Sequence, residues 1–220
     1  MIATKLIDEE VMPLHPTDTG AEALHAMADF HVRHLPVVDE GLYIGTLCEQ
    51  VVFRESADET LAWTLATLPR PYVAPDDHIF TVLERMYANQ LTTIPVVVEP
   101  EHLYKGVVTL SNVLAYFGET TSMIEPGAVI VLEMSRHQYS MFHIARIVEG
   151  EGMGILSSFV TSKPNSTEIE VTLKLNQTDV RRVTAAFVRH DYDIKASFDQ
   201  DEYVDTLREN YDSLMMYLNV

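Results

Sequence analysis

Two histidines, one cysteine and a glycine-rich run are the residues of this chain whose type and spacing could support chemistry. His31-x-x-His34 has a spacing that would let two imidazoles share a metal ion on one helix face. No Cys, Asp or Glu of matching pattern completes a ligand set, however, and the segment leaves a helix to enter a strand. Surface or cleft histidines are the favoured reading, with His34 lining a cleft. Cys48 is the only cysteine, and no oriented base stands near it in sequence, so packing rather than nucleophilic attack accounts for it. Gly150-Glu151-Gly152-Met153-Gly154 has the glycine density of a phosphate loop, but it follows a helix and precedes a strand. Dinucleotide binding needs the reverse order, so the run reads as helix termination. With no nucleophile–base pair, carboxylate dyad or metal spacing, the sequence gives an enzyme little support.

Bulk composition narrows the classes further. The 220 residues carry 15 Lys+Arg against 33 Asp+Glu, a net charge of −18. Such a surface repels a nucleic-acid duplex, and it disfavours polyanionic ligands unless local cations or backbone N–H groups offset it. No run reaches the ~18 apolar residues of a membrane span, and no signal-peptide pattern opens the sequence. A single cysteine rules out an internal disulfide framework and suits a reducing compartment. A cytoplasmic protein without nucleic-acid or membrane partners is expected.

The elements that must position any site are written twice. Pro16 and Pro75, Leu24 and Leu83, Met27 and Met86, and Pro36 and Pro95 each stand 59 residues apart. Both copies order a turn, a helix, a Pro-containing strand (Leu35-Pro36-Val37-Val38 or Ile94-Pro95-Val96-Val97), a hairpin and a second strand. Thr17 or Asp18 is expected to cap the first helix, whose stripe is Ala21, Leu24, Met27 and Ala28. Residues from about Glu49 to Leu68 read as helical, and a shorter helix covers Ser111 to Phe117. A repeat of this kind buries a face against its own copy. The boundaries expected are 1–120 for the pair, with repeats at about 8–58 and 68–118, and a linker at 121–127 within the polar stretch Gly118–Gly127. Residues 128–220 then give strand, helix, two strands, helix and strand. Their period-two run Ile169, Val171, Leu173, Leu175 is the clearest strand signal, and Met141, Phe142, Ala145 and Val148 are the expected stripe of the first helix there. Tyr203, Leu207, Tyr211, Leu214 and Leu218 fall at helical spacing, an amphipathic C-terminal helix that covers its own sheet or a partner copy.

The N-terminal half resembles a tandem pair of CBS (cystathionine-β-synthase-type) domains, a Bateman module. The resemblance is carried by the two Leu/Ile-Pro-Val-Val segments and by Lys105-Gly106-Val107-Val108-Thr109-Leu110-Ser111-Asn112. The C-terminal half is similar, by element order, to an ACT domain. The fold class implied is α+β: a CBS pair with pseudo-twofold symmetry, a ferredoxin-like βαββαβ ACT-like domain and a terminal helix. The combination resembles CBS–ACT regulatory proteins of the acetoin-utilisation type, although architecture alone carries no acetoin role.

In that family the cleft between repeats binds adenine nucleotides. The resemblance implies that backbone around Thr92, Thr93, Ile94 and Pro95 meets the base, that Thr109 supplies the phosphate-binding hydroxyl, and that Asn112 takes the place of the ribose-binding Asp/Asn, with His34 at the cleft. In the first repeat Cys48 and Val51 replace Thr109 and Asn112, so that site is degenerate. His31 and Gln90 stand where many members carry glycine. The loop Ser135-Arg136-His137-Gln138-Tyr139 lacks the glycine that amino-acid-binding ACT domains use. Two readings remain. The first is a non-catalytic homodimeric sensor that needs no cofactor, has AMP, ADP, ATP or S-adenosylmethionine as candidate regulatory ligands, and acts on a regulated partner protein. The second is a homodimeric interaction scaffold with no small ligand.

Overall fold

The computed structural model describes residues 1–54, 59–120, 122–162 and 166–198, with Trp63 described by its backbone alone. It divides into two compact units, Met1–Phe117 and Gly118–Val220.

In the first unit each repeat contributes a helix and a hairpin. Helix α1 (Gly20–Asp29) leads to strands β2 (His34–Asp39) and β3 (Leu42–Cys48) and the short helix α2 (Glu49–Arg54). Helix α3 (Ile79–Ala88) leads to β4 (Thr93–Val98), β5 (Leu103–Thr109) and α4 (Leu110–Thr120). The cap of α1 is Thr19 rather than Thr17 or Asp18: its side chain accepts from Glu22 N–H while the Glu22 carboxylate accepts from Thr19 N–H, a reciprocal capping box. Its buried face is Gly20, Ala23 and Met27, with Leu24 packed alongside, whereas Ala21 and Ala28 face solvent. The helix expected from Glu49 to Leu68 is broken. It ends at Arg54, residues 55–58 are outside the described set, and single 3₁₀ turns follow at Leu61–Trp63 and Leu65–Thr67. Helix α4, expected to end at Phe117, runs to Thr120, into the polar stretch Gly118–Gly127 and up to the expected linker.

The contacts of one repeat recur in the other. Pro36 pairs with Thr46 and Pro95 with Val107. Leu14 lies parallel to β2 beside Val37, and Val73 parallel to β4 beside Val96. The two hairpins meet reciprocally: Tyr43 N–H donates to His102 O at 2.9 Å and Tyr104 N–H to Gly41 O at 3.0 Å. His31 and Gln90 both adopt left-handed backbone, at φ 54° and 53°, so the glycine-favouring conformation persists in each copy with a bulky side chain in place.

A feature without periodicity completes each core. The N-terminal arm crosses to the second repeat, where Ala3 N–H donates to Asp77 O and strand β1 (Ile7–Asp8) pairs antiparallel with β5, Ile7 facing Val108. The inter-repeat segment crosses to the first, where Gly20 N–H donates to Glu59 O and Thr46 N–H to Pro69 O. Leu61 and Leu68 thus pack with Leu35, Leu47 and Met27, while Ala3 and Leu6 pack with Ile79, Ile94 and Met86. Glycine permits each crossing: a Cβ on Gly106 would stand 2.5 Å from Ile7 Cγ2, and one on Gly45 2.5 Å from Leu68 Cβ.

In the second unit β6 (Val129–Ser135), α5 (Met141–Gly150), β7 (Ile155–Ser162), β8 (Glu168–Leu175), α6 (Arg181–Arg189) and β9 (Asp193–Phe198) build an antiparallel sheet of order β7-β8-β6-β9. Alternate residues of β8 (Ile169, Val171, Leu173, Leu175) and of β6 (Ile130, Leu132, Met134) enter one core with Phe187. Helix α5 turns Ile144, Ile147 and Val148 inward, so Phe142, expected on the buried stripe, is 71% exposed. The stripe from Tyr203 to Leu218, expected as a terminal helix, lies outside the described residues.

Candidate functional site

The residues singled out in the second repeat form a connected line along the junction of the repeats. Thr92 meets His34: its N–H donates to His34 Nδ1 at 3.2 Å, and its hydroxyl lies 3.1 Å from the same nitrogen and accepts from Arg33 N–H at 2.9 Å. Thr93, fully buried, donates its hydroxyl to His34 O at 2.7 Å. Because Nδ1 accepts a backbone N–H, only the form unprotonated at Nδ1 fits. Burial first, and then the Arg33 charge, lower the His34 pKa, with Glu49 opposing. Ile94 and Pro95 are buried and spend their strand positions on Val108 and Val107, and Pro95 O accepts from Val73 N–H. Thr92 O accepts from Leu110 N–H at 2.9 Å, which seats the start of α4 beside the same junction.

At that helix start Thr109 serves as the cap. Its hydroxyl accepts from Asn112 N–H at 3.1 Å and donates to Asp8 Oδ2 at 3.4 Å. The Asn112 amide donates to Leu6 O at 3.3 Å, leaving its side-chain oxygen as an acceptor. Thr109 and Asn112 therefore stand together, held by the arm that crosses from the N-terminus. Asp8 and Leu6 were not among the residues expected from sequence. A two-residue strand carries no period, and the close approach of Ile7 to Gly106 and of Leu68 to Gly45 is visible only in the folded chain.

The first repeat keeps the frame without the chemistry. Glu49 N–H donates to Arg33 O, the counterpart of Leu110 to Thr92, but Cys48 stands at the Thr109 position, Val51 packs on the core, and Pro69 lies where Asp8 lies in the second copy. His31 is exposed and His34 faces Thr92, so the pair does not converge; among the described residues no group of three metal-binding side chains forms. Gly152, at φ 77°, closes α5 with its N–H on Glu149 O, which is helix termination.

The hairpin tyrosines differ between copies. Tyr43 donates its hydroxyl to Pro71 O at 2.9 Å and lies 2.8 Å from Thr46 Oγ1, and burial pushes its pKa up to about 12. The buried hydroxyl of Tyr104 has no hydrogen-bond partner among the described residues, and Val107 stands where Thr46 stands in the first copy; burial raises its pKa as well.

In the second unit a groove of about 770 Å³ opens beside the Ser135–Gln138 loop, lined among others by His143, Arg146, Glu168 and Tyr192. Its lining mixes charge sign, and Arg189 there is already paired with Glu151 at 3.1 Å. Arg136 is exposed and does not line it.

Comparison with known proteins gives the following likenesses. The profile of the CBS domain family matches residues 3–58 and 65–119. Inosine-5′-monophosphate dehydrogenase of Methanocaldococcus jannaschii is 26% identical over 115 residues, 51% of this chain and 23% of that enzyme, so the chain spans about a quarter of that relative's length. A CBS domain pair/ACT domain protein from Thermotoga maritima is 24% identical with a TM-score of 0.48, covering 53% of this chain and 96% of that one. A CBS domain pair crystallised with 5′-methylthioadenosine and S-adenosyl-L-methionine is 19% identical with a TM-score of 0.44, covering 54% of this chain and 96% of that one.

Proposed function

Since the chain belongs to the CBS domain family and carries two copies of that domain, we propose that it is a non-catalytic regulatory protein whose second-repeat cleft binds an adenosine-type ligand. Asn112 offers a free carbonyl oxygen to a ribose hydroxyl, and Thr92 and Thr109 flank it. The single observation that carries this reading is the asymmetry of the copies: hydroxyl and amide side chains on the first turn of α4 meet Cys48 and Val51 at the matching positions of the first. Occupancy would bias the pair between arrangements and be relayed to the second unit, read as an ACT-like domain of ferredoxin-like fold, or to a regulated partner. The strand order β7-β8-β6-β9 supports the ACT-like reading, and a domain boundary in the 121–127 linker, after α4 ends at Thr120, is part of the proposal. Among the described residues no helix is long and apolar enough to cross a membrane. A cytoplasmic homodimer is proposed. Phe80, Tyr87 and Leu114, 66%, 87% and 72% accessible, are among the large apolar side chains exposed on the first unit and are proposed to meet a second CBS pair.

A second reading, the ligand-free homodimeric scaffold, is favoured by one observation: the polar groups of Thr92, Thr93 and Thr109 are already satisfied within the chain. Calorimetry and thermal-melt shifts with AMP, ADP, ATP, adenosine and S-adenosylmethionine, on the wild type and Asn112→Ala, separate the two. The sensor reading expects binding that Asn112→Ala weakens at least tenfold. Absence of any melt shift or binding heat establishes the scaffold, and binding unchanged by the substitution moves the site elsewhere.

A further inference from the structure

We propose that Asp8 makes the second-repeat cleft reject a 5′-phosphate, so that its ligand is an adenosyl compound neutral or positively charged at the 5′ position; this rests on the reading of the cleft as an adenosine site. Three donors that a phosphate could use there are already committed. Thr109 has one hydroxyl proton, and it points to Asp8 Oδ2 at 3.4 Å. At the start of α4 the N–H of Leu110 goes to Thr92 O and that of Asn112 to Thr109 Oγ1. The pull of a helix N-terminus on negative charge is therefore answered by a carboxylate of the chain itself.

Asp8 is also held in place. Strand β1 pairs it with Val107, its Oδ1 accepts from Glu10 N–H at 3.1 Å, and Ile7 wedges against Gly106. Among the described residues no Lys or Arg pairs with it, while Glu9 and Glu10 follow it directly. A phosphate brought beside Thr109 would meet an unneutralised carboxylate in a partly buried setting, where like charges repel more strongly than in bulk water. A neutral 5′ group would lose nothing, and a sulfonium or ammonium centre would gain. The first repeat cannot make this discrimination, because Pro69 lies at the matching place.

The test is calorimetry on the full chain with adenosine, S-adenosylmethionine and AMP, in EDTA, for the wild type and Asp8→Asn. The wild type is expected to bind adenosine and S-adenosylmethionine at least tenfold more tightly than AMP. Asp8→Asn should raise AMP affinity relative to adenosine affinity about tenfold. Raising salt from 20 to 500 mM should close the gap between AMP and adenosine in the wild type, a measurement independent of how the variant folds. AMP bound as tightly as adenosine by the wild type, or a ratio unmoved by both the substitution and salt, overturns the role of Asp8 and leaves the adenosine site standing. No binding of any of the three to either form overturns the site and this inference together.

Discussion

Substituting Phe for Tyr at the two equivalent hairpin positions should shift stability in opposite directions. Tyr43 is 3% exposed, and its hydroxyl joins Thr46 Oγ1 to Pro71 O. Tyr43→Phe leaves the 1% exposed Thr46 hydroxyl and a carbonyl without that partner, a loss of about 1–3 kcal/mol. At Tyr104 the hydroxyl is buried with nothing to bond, so Tyr104→Phe removes a desolvated polar atom and stabilises by about 1 kcal/mol. The separation between the variants is then about 2–4 kcal/mol, or about 1–2 M in urea midpoint at an m-value of about 2 kcal/mol/M. The single tryptophan, Trp63, belongs to the first unit, so its fluorescence follows the unfolding of the half that holds both tyrosines. Midpoints that move together, or a Tyr104→Phe protein as weakened as Tyr43→Phe, would refute the reasoning from hydrogen-bond accounting.

Two further outcomes are expected. His34 has a folded pKa below the ordinary histidine value, so folding favours its neutral ring: this stability is present above about pH 6.5 and is lost as pH falls through the lowered folded value. The urea midpoint should drop on acidification below that pH, and His34→Gln should flatten the slope, with imidazole NMR titration checking the direction. In the second unit Phe187 is fully buried and meets Tyr192 edge-on at 5.6 Å, so Phe187→Ala should cost about 3–5 kcal/mol, read as faster amide exchange at Ile130, Leu132 and Val171.

Much of this arrangement was legible in the chain. The common spacing of Pro16/Pro75 and Pro36/Pro95 announced two copies of one module, because identical turn, helix and strand signals in the same order demand the same local structure. Strict alternation from Ile169 to Leu175 fixed one face of β8 against a core, since strand side chains alternate by geometry. The helices were less legible at their edges. Thr19 capped α1 instead of Thr17 or Asp18 because only Thr19 has Glu22 at the spacing that closes the box. Phe142 faced outward because the packed face of α5 centres on Ile144 and Val148.

The tertiary structure decided what repetition could not express. Sequence determined that two copies exist, that the second keeps Thr109 and Asn112, and that the first has lost them. It could not assign the arm at Ile7–Asp8 to the far repeat, because two extended residues have neither period nor propensity strong enough to name a partner. Nor could it show what Thr46 and Val107, unlike at the matching strand position, mean for Tyr43 and Tyr104, alike in type and hairpin position. Only packing delivers Thr46 and Pro71 O to one hydroxyl and nothing to the other. Local residue choice sets each element, whereas long-range contact sets which charges and donors meet, and that is how a carboxylate from the first strand came to rest on the cap of the last helix of the pair.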